Sequence, residues 1–337
     1  MLYKSNYIIL FLIVIFALSS CEKAFFEKEF STTDPFDNFE YLWKECDEKY
    51  AYFEVKNIDW DAVKVAYAAK LYKGMSQDSL FSVLGGMLTE LRDDHTNLVS
   101  DFNVSSFGVR YLGQDNFDWR IIIDNYITKD FYRTGPFSHN FLDNGEIGYI
   151  RFPSFTGAIN ATNINFVLDR YKDTKGLIFD LRENGGGAVS DVFSILSILV
   201  DVNTLVNYSR IKNGPGHNDF SEPAPVYVAG HGGTPYTKNI KVLIDRGTYS
   251  AGSFTALATK ALDNVVLIGD TTGGGLGVPN GGQLPNGWTY RFSITQALTL
   301  DKSPEFENGV PPDIPVLFDW NDVTKDEILE RAITELQ

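Results

Sequence analysis

The feature that most limits what this chain can fold into begins at Gly145. From there an apolar strand, a glycine-bearing turn and a helix recur in that order. "GEIGYIRF" reads as a strand and "ATNINFVLDRY" as a helix. "KGLIFDL", "RENGGG" and "AVSDVFSILSILV" read as buried strand, turn and helix; "NIKVLID", "RGTYSAG" and "SFTALATKAL" repeat the order, and "NVVLIGD" adds a further strand. Alternation of this kind predicts an α/β domain over 145–337, a sheet covered by helices. Asn286-Gly287, between "GQLP" and "WTYRF", predicts a tight hairpin within it.

The preceding residues follow a different period. Asp34-Pro35 supplies an N-cap and a proline at the first helical position, and Phe36, Phe39, Leu42, Trp43 and Cys46 follow at helical spacing. Trp60, Val63, Tyr67 and Leu71 predict a second helix. Ser76 caps a third, with Leu80, Leu84, Met87, Leu88 and Leu91 on one side. Residues 34–100 therefore read as an N-terminal helical subdomain. Between 101 and 144 short apolar runs such as "FGVRYL" and "WRIIIDNYI" alternate with turn signals and predict a small β-rich insert.

At the N-terminus, Lys4 precedes an apolar run from Ile8 to Leu18, the length of a signal-peptide core and too short to span a bilayer. It ends in Leu18-Ser19-Ser20-Cys21, which resembles a bacterial lipobox. The expectation is a lipoprotein signal peptide over 1–20, lipidation at Cys21, and a polar tether over 21–33; the alternative is an ordinary signal peptide that happens to contain a cysteine. Only Cys46 would then remain in the mature chain, which rules out an internal disulfide there. A formal charge of −15 over 337 residues disfavours a nucleic-acid partner and direct contact with an anionic bilayer, leaving membrane attachment to the lipid anchor.

Ser250 sits where the turn "RGTYS" becomes a helix. A serine there is ordinarily a cap. It also follows an apolar strand, where α/β sheets bind ligands, and adjoins free helix N–H groups that can stabilise an oxyanion. The stretch is not a Gly-x-Ser-x-Gly elbow, because Thr248 replaces the first glycine. A nucleophile needs a base. Of four histidines, His139 and His231 lie in turn-like stretches and His217 in a polar loop, whereas His95 in "LRDDHTNL" has two carboxylates beside it. It reads equally as a partly exposed histidine near helix-terminal acids. "DLRENGGG" can cradle a phosphate or donate to an acyl oxyanion, and it matches neither a P-loop nor a dinucleotide fingerprint. "TTGGGLG" reads as a flexible loop. No histidine or cysteine pair has metal-ligand spacing, so neither a metal nor another cofactor is expected.

Taken together, "RDDHT", "FDLRENGGG", "DRGTYSAGS", "IGDTTGGGLG" and "ENGVPPDIPV" occur in an order that resembles the tail-specific (C-terminal processing) serine peptidases, in particular the branch that includes the tricorn protease core. The resemblance implies a ClpP/crotonase-like catalytic domain and a peptide or protein substrate. It makes Ser250 the nucleophile and assigns the oxyanion donors to the backbone of Ala251 and Gly186. Members with a serine–lysine dyad carry a lysine where this chain has Gly275, and Lys260 falls within the helix after Ser250, so the implied base is His95, with Glu307 orienting it and Asp94 as a supporting acid. Ionised Asp94 and Glu307 would raise the His95 pKa and place the acid limb of activity around roughly pH 6 to 7.5. Ser253 stands where many members have glutamate. Many also carry a PDZ domain where this chain has only 101–144, too short to hold one. The expected protein is a serine peptidase of the bacterial cell envelope, lipid-anchored with its catalytic domain outside the cytoplasm. Two rivals share the scaffold: a catalytically silent peptide- or polymer-binding lipoprotein, and an esterase or other acyl hydrolase.

Overall fold

A computed structural model describes residues 31–156, 159–233 and 235–337; the expected signal peptide, Cys21 and most of the tether lie outside the described residues. Three helices open it: α1 (Pro35–Lys49), α2 (Trp60–Ala68) and α3 (Gln77–Thr89). Each starts at a side-chain cap, from Asp34, Asp59 and Ser76. Their apolar faces meet in one cluster around Leu42, Trp60, Leu84 and Leu88. A strand, β1 (Asn97–Val99), follows.

Most of the remaining chain builds one large sheet. In chain order its surroundings are β2 (Tyr132–Thr134), β3 (Phe137–Leu142), β4 (Ile147–Arg151), α4 (Ala161–Tyr171), β5 (Gly176–Asp180), α5 (Val189–Ser197), β6 (Thr204–Ile211), β7 (Ala224–Val228), β8 (Asn239–Ile244), α6 (Ala251–Thr259), β9 (Val265–Gly269), β10 (Pro279–Gln283), β11 (Thr289–Ser293), β12 (Thr295–Leu298), β13 (Ile314–Pro315) and α7 (Glu327–Thr334). The large sheet has the order β13-β9-β8-β5-β4-β3-β2. It is parallel from β13 to β4 and antiparallel across β3 and β2. Two small antiparallel sheets, β1-β11-β10 and β12-β6-β7, flank it.

Both faces of the large sheet are covered, as the continuous apolar strands anticipate. On β5, Leu177 and Phe179 enter the core beneath α4 and α5, while Ile178 faces α7. Burying a side chain of this size contributes roughly 1.5–3 kcal/mol. The helical subdomain is not isolated from the rest, since Trp288, Tyr290 and Phe292 of the β10–β11 hairpin complete its core.

The stretch 101–144 departs from the expected run of strands. "WRIIIDNYI" is helical from Trp119 to Ile127: Asp118 caps it by accepting the Arg120 N–H (2.9 Å), and Ile122 and Ile127 bury one side against the α7 face of the sheet. "FGVRYL" forms a single 3-10 turn at Val109–Leu112 after Gly108. The strands lie later: β2 is an edge strand of the large sheet, and β3 lies between it and β4.

Candidate active site

Ser250 stands between β8 and α6 on a turn that the sequence ties down from within. Asp245 Oδ1 accepts the N–H groups of Thr248 (3.0 Å) and Glu183 (2.9 Å), and Thr248 Oγ1 donates to the Leu181 carbonyl (2.8 Å). The Tyr249 N–H donates to the Asn184 carbonyl (2.9 Å), so the serine turn and the "RENGGG" turn form one unit. Ser250 is held at φ 55°, ψ −118°, a strained conformation for a residue with a side chain. Its side chain caps nothing. Instead Oγ lies 2.9 Å from His95 Nε2, 155 positions away in the chain.

His95 comes from the loop between α3 and β1, and its ring packs edge-on to Tyr249 with centroids 5.0 Å apart. Asp94, expected beside it, is turned elsewhere: its carboxylate accepts the Gly108 and Val109 N–H groups and closes that loop. The acid that meets the histidine is Asp93. Its Oδ1 accepts the His95 backbone N–H (2.8 Å) and the Tyr249 hydroxyl (3.0 Å). Its Oδ2 accepts the hydroxyls of Ser293 (2.9 Å) and Tyr50 (3.3 Å).

Glu307, also buried, lies in the 3-10 turn Glu305–Asn308. Its Oε2 accepts the Leu276 N–H (2.8 Å), and its Oε1 lies 3.6 Å from the Nζ of Lys56, a buried lysine from the loop after α1. No hydrogen bond joins Glu307 to His95. Glu307 Oε1 and His95 Nδ1 are both buried without a close hydrogen bond among the described residues, Glu307 having Tyr52 and Lys56 as neighbours and His95 the Gly277 carbonyl.

Burial dominates the titration of the site. It pushes the Glu307 carboxyl up to about 7, an effect that the charge of Asp93 reinforces and Lys56 opposes. Burial also acts against ionised Asp93, yet Lys56, His95 and the hydrogen bonds to its oxygens together hold it below the usual carboxylate range. For His95 burial lowers the pKa; Asp93 and the Gly277 carbonyl push upward, while Arg291 and Lys56 push down. The net direction is downward, opposite to the expectation drawn from Asp94 and Glu307. Asp94 sits on backbone donors, and desolvation of the ring outweighs its neighbours' charges.

The Ala251 N–H, first in α6, has no acceptor among the described residues, whereas the Gly186 N–H donates to Asn184 Oδ1 (2.9 Å). Gly186 packs directly on the serine: at its φ of +93° a Cβ would lie 2.7 Å from Ser250 Cβ and 2.9 Å from the Ala251 nitrogen. Only glycine leaves the Ala251 N–H open. Gly275, at φ +69°, has no room for a side chain either, because a Cβ would collide with the Tyr249 ring. Lys260 pairs with Asp313 (2.7 Å) instead. The Ser253 hydroxyl lies within hydrogen-bond distance of the Thr248 carbonyl (3.0 Å) and of Thr272 Oγ1 (2.9 Å), bracing the turn.

Beside Ser250 and His95 opens a cavity of about 200 Å³, walled by Val192, Phe193, Val226, Phe254, Leu276 and Ala297. A second, charged cavity of about 270 Å³, lined by Lys56, Arg92, Asp94, Arg246 and Glu307, reaches Asp93 and Tyr249. The other histidines are engaged elsewhere or lie apart. His139 is enclosed by Tyr171 (2.8 Å) and Thr134 (2.9 Å), with burial pushing it down to about 4. His217 pairs with Asp47 (2.9 Å) and stacks on Phe53, and His231 lies in the loop after β7.

Sequence reading missed Asp93, Lys56 and Tyr249. "RDDH" did signal two acids, but which of them faces the histidine depends on Tyr50, Tyr249 and Ser293, which come from distant segments.

Residues 146–316 match the family described as Peptidase family S41, and residues 32–89 match the Tricorn protease C1 domain. The chain is 29% identical over 175 residues to the carboxy-terminal processing protease CtpA of Bacillus subtilis (strain 168), a match covering 51% of this chain and 35% of that one. It thus spans about a third of that relative's length. A crystal structure from Parabacteroides merdae ATCC 43184, described as a peptidase, superposes with a TM-score of 0.86 at 37% identity, covering 90% of this chain and 97% of that one. Mature CPAF shares the fold at a TM-score of 0.67 and 13% identity, covering 90% and 96%.

Proposed function

The chain belongs to the serine-type peptidase family S41, and on that premise we propose that it hydrolyses peptide bonds through an acyl-enzyme on Ser250. The single observation that carries this reading is the 2.9 Å contact between Ser250 Oγ and His95 Nε2, made by a serine that caps no helix. As Oγ attacks the scissile carbonyl carbon, Nε2 takes its proton, and the carbonyl oxygen gains negative charge next to the open Ala251 N–H. The imidazolium then protonates the leaving amine and the C–N bond breaks. Water, deprotonated by the same ring, releases the acid and restores Ser250. Glu307 enters as the buried acid paired with Lys56 and close to Asp93, expected to support His95 as the ring takes the proton. The apolar cavity beside Ser250 favours a substrate with an apolar side chain next to the scissile bond.

Purified wild-type protein should cleave peptides in a library digest mapped by mass spectrometry and react with a fluorophosphonate. His95→Ala should lose both activities, and Glu307→Gln part of the rate. A histidine base works only when neutral. As pH falls, kcat/KM should drop first near 7, where Glu307 gains its proton, and then steeply below about 6.5, where the desolvated His95 does. Glu307→Gln should lose the first step and keep the second. Near-wild-type cleavage by His95→Ala would refute the mechanism. Ester turnover without peptide turnover would favour the acyl-hydrolase reading.

The same proposal includes anchoring through a lipid on Cys21, with the catalytic unit outside the cytoplasm, and it rests on the apolar run from Ile8 to Leu18 and the residues after it. Among the described residues no helix is long and apolar enough to cross a membrane. Cys21→Ala should move the protein out of the membrane fraction or leave it unprocessed. A wild-type protein that is already soluble would contradict the anchor.

A further inference from the structure

Two acids are buried near His95, and they differ in how they are held. Glu307 has one oxygen without a close hydrogen-bond partner, with Lys56 at 3.6 Å and the charge of Asp93 nearby. Asp93 has both oxygens filled, by one backbone N–H and three hydroxyls contributed by four separate parts of the chain. A carboxylate that receives this many donors is held in its charged form and in one orientation. Two of those donors belong to the reacting pair's own supports: the backbone of His95, and the ring of Tyr249, which immediately precedes Ser250 and packs on the imidazole.

We propose that Asp93 is the positioning residue of this site, holding His95 against Ser250 through the histidine backbone and the Tyr249 ring, and supplying the fixed negative charge that offsets the imidazolium formed when Ser250 gives up its proton. Asp93 needs no hydrogen bond to the imidazole to do so. In a buried site a charge two positions along the chain acts through the field, weakly screened by solvent. The surrounding charges fit this role. Lys56 balances one of the two buried carboxylates, Arg291 and Arg92 lie toward the outside, Arg246 and Asp94 line the adjoining cavity, and Tyr50, Tyr52 and Tyr249 remain neutral phenols. Asp93, held below the usual carboxylate range, keeps its charge whether or not His95 carries a proton, so the charge that His95 acquires from Ser250 meets a fixed partner in the transition state.

This inference rests on the Ser250–His95 mechanism, and its test separates the two. Asp93→Asn keeps the shape and an oxygen for the His95 N–H and the Tyr249 hydroxyl, and removes the charge. The expected result is a kcat reduced by roughly tenfold or more with KM nearly unchanged, and an acid limb of kcat/KM displaced downward by about one pH unit. Tyr249→Phe removes one donor and leaves the carboxylate less neutralised, so its acid limb should move upward. An Asp93→Asn enzyme with the wild-type limb and rate overturns the proposal, while an inactive His95→Ala beside it keeps the mechanism standing. If Asp93→Asn does not fold, Tyr249→Phe decides: an upward limb supports the proposal and an unmoved one overturns it.

Discussion

Ser250→Ala should abolish fluorophosphonate labelling and reduce peptide hydrolysis by on the order of 10⁴-fold or more, with the fold unchanged. The size follows from what the serine does in this geometry. Without Oγ no acyl-enzyme forms, and what survives is the contribution of the Ala251 N–H and of substrate binding. The fold should be indifferent because the side chain's one hydrogen bond is to His95 and it satisfies no helix N–H. Circular dichroism and thermal unfolding of the variant should overlay the wild type. Activity that persists in contaminant-free Ser250→Ala would remove the nucleophile and the mechanism with it.

The largest expected loss of stability comes from Arg182→Met. Arg182 is fully buried at the start of the "RENGGG" turn, with its guanidinium shared between two buried carboxylates. It contacts Asp180 through Nε (3.0 Å) and a second nitrogen (2.7 Å), and Asp326, the cap of α7, at 2.8 and 3.0 Å. Removing it leaves Asp326 without its cation and Asp180 with only Arg151 (3.8 Å) and the Tyr149 hydroxyl (2.8 Å), and breaking a buried ion pair costs about 3–5 kcal/mol. Chemical denaturation at pH 8 should register that loss. The defect should shrink as pH falls, because the stranded carboxyls, with folded pKa values then raised, take up protons in the native state before the unfolded one does. Stability at pH 8 equal to wild type would show that the network is not what secures the turn. Activity should fall as well, since Asn184 and Gly186, two and four positions along the same turn, contact the serine turn.

What was legible in the sequence was what is written locally. The strands β4, β5, β8 and β9 announce themselves because they are buried on both faces and end in glycine or polar turns. The three N-terminal helices do so through caps and apolar spacing. Ser250 was legible as a candidate because a strand, a turn and a helix meet there within a few residues. The helix at "WRIIIDNYI" was not, since a short run of isoleucines suits a strand equally well, and the outcome was set by the Asp118 cap and a core reached on one side only. Choosing between Asp93 and Asp94 was likewise beyond local pattern. One carboxylate meets hydroxyls from α1's C-terminal boundary, the serine turn and β11, and the other meets the backbone of its own loop. The lowered His95 pKa is a property of enclosure, and no count of neighbouring charges in the sequence measures that.

Gly275 bears on how a lineage could exchange one general base for another. A histidine-dependent ancestor cannot drift to a lysine-dependent descendant by changing this position alone. Gly275→Lys would force a side chain onto a backbone at φ +69° and into the space of the Tyr249 ring, so the first mutational step damages the existing machine before a new one operates. Clearing Tyr249 first would take a hydroxyl from Asp93 and a packing surface from His95. Each order passes through an impaired intermediate. On the proposed mechanism, the packed ring would work as a ratchet that holds this chain to His95.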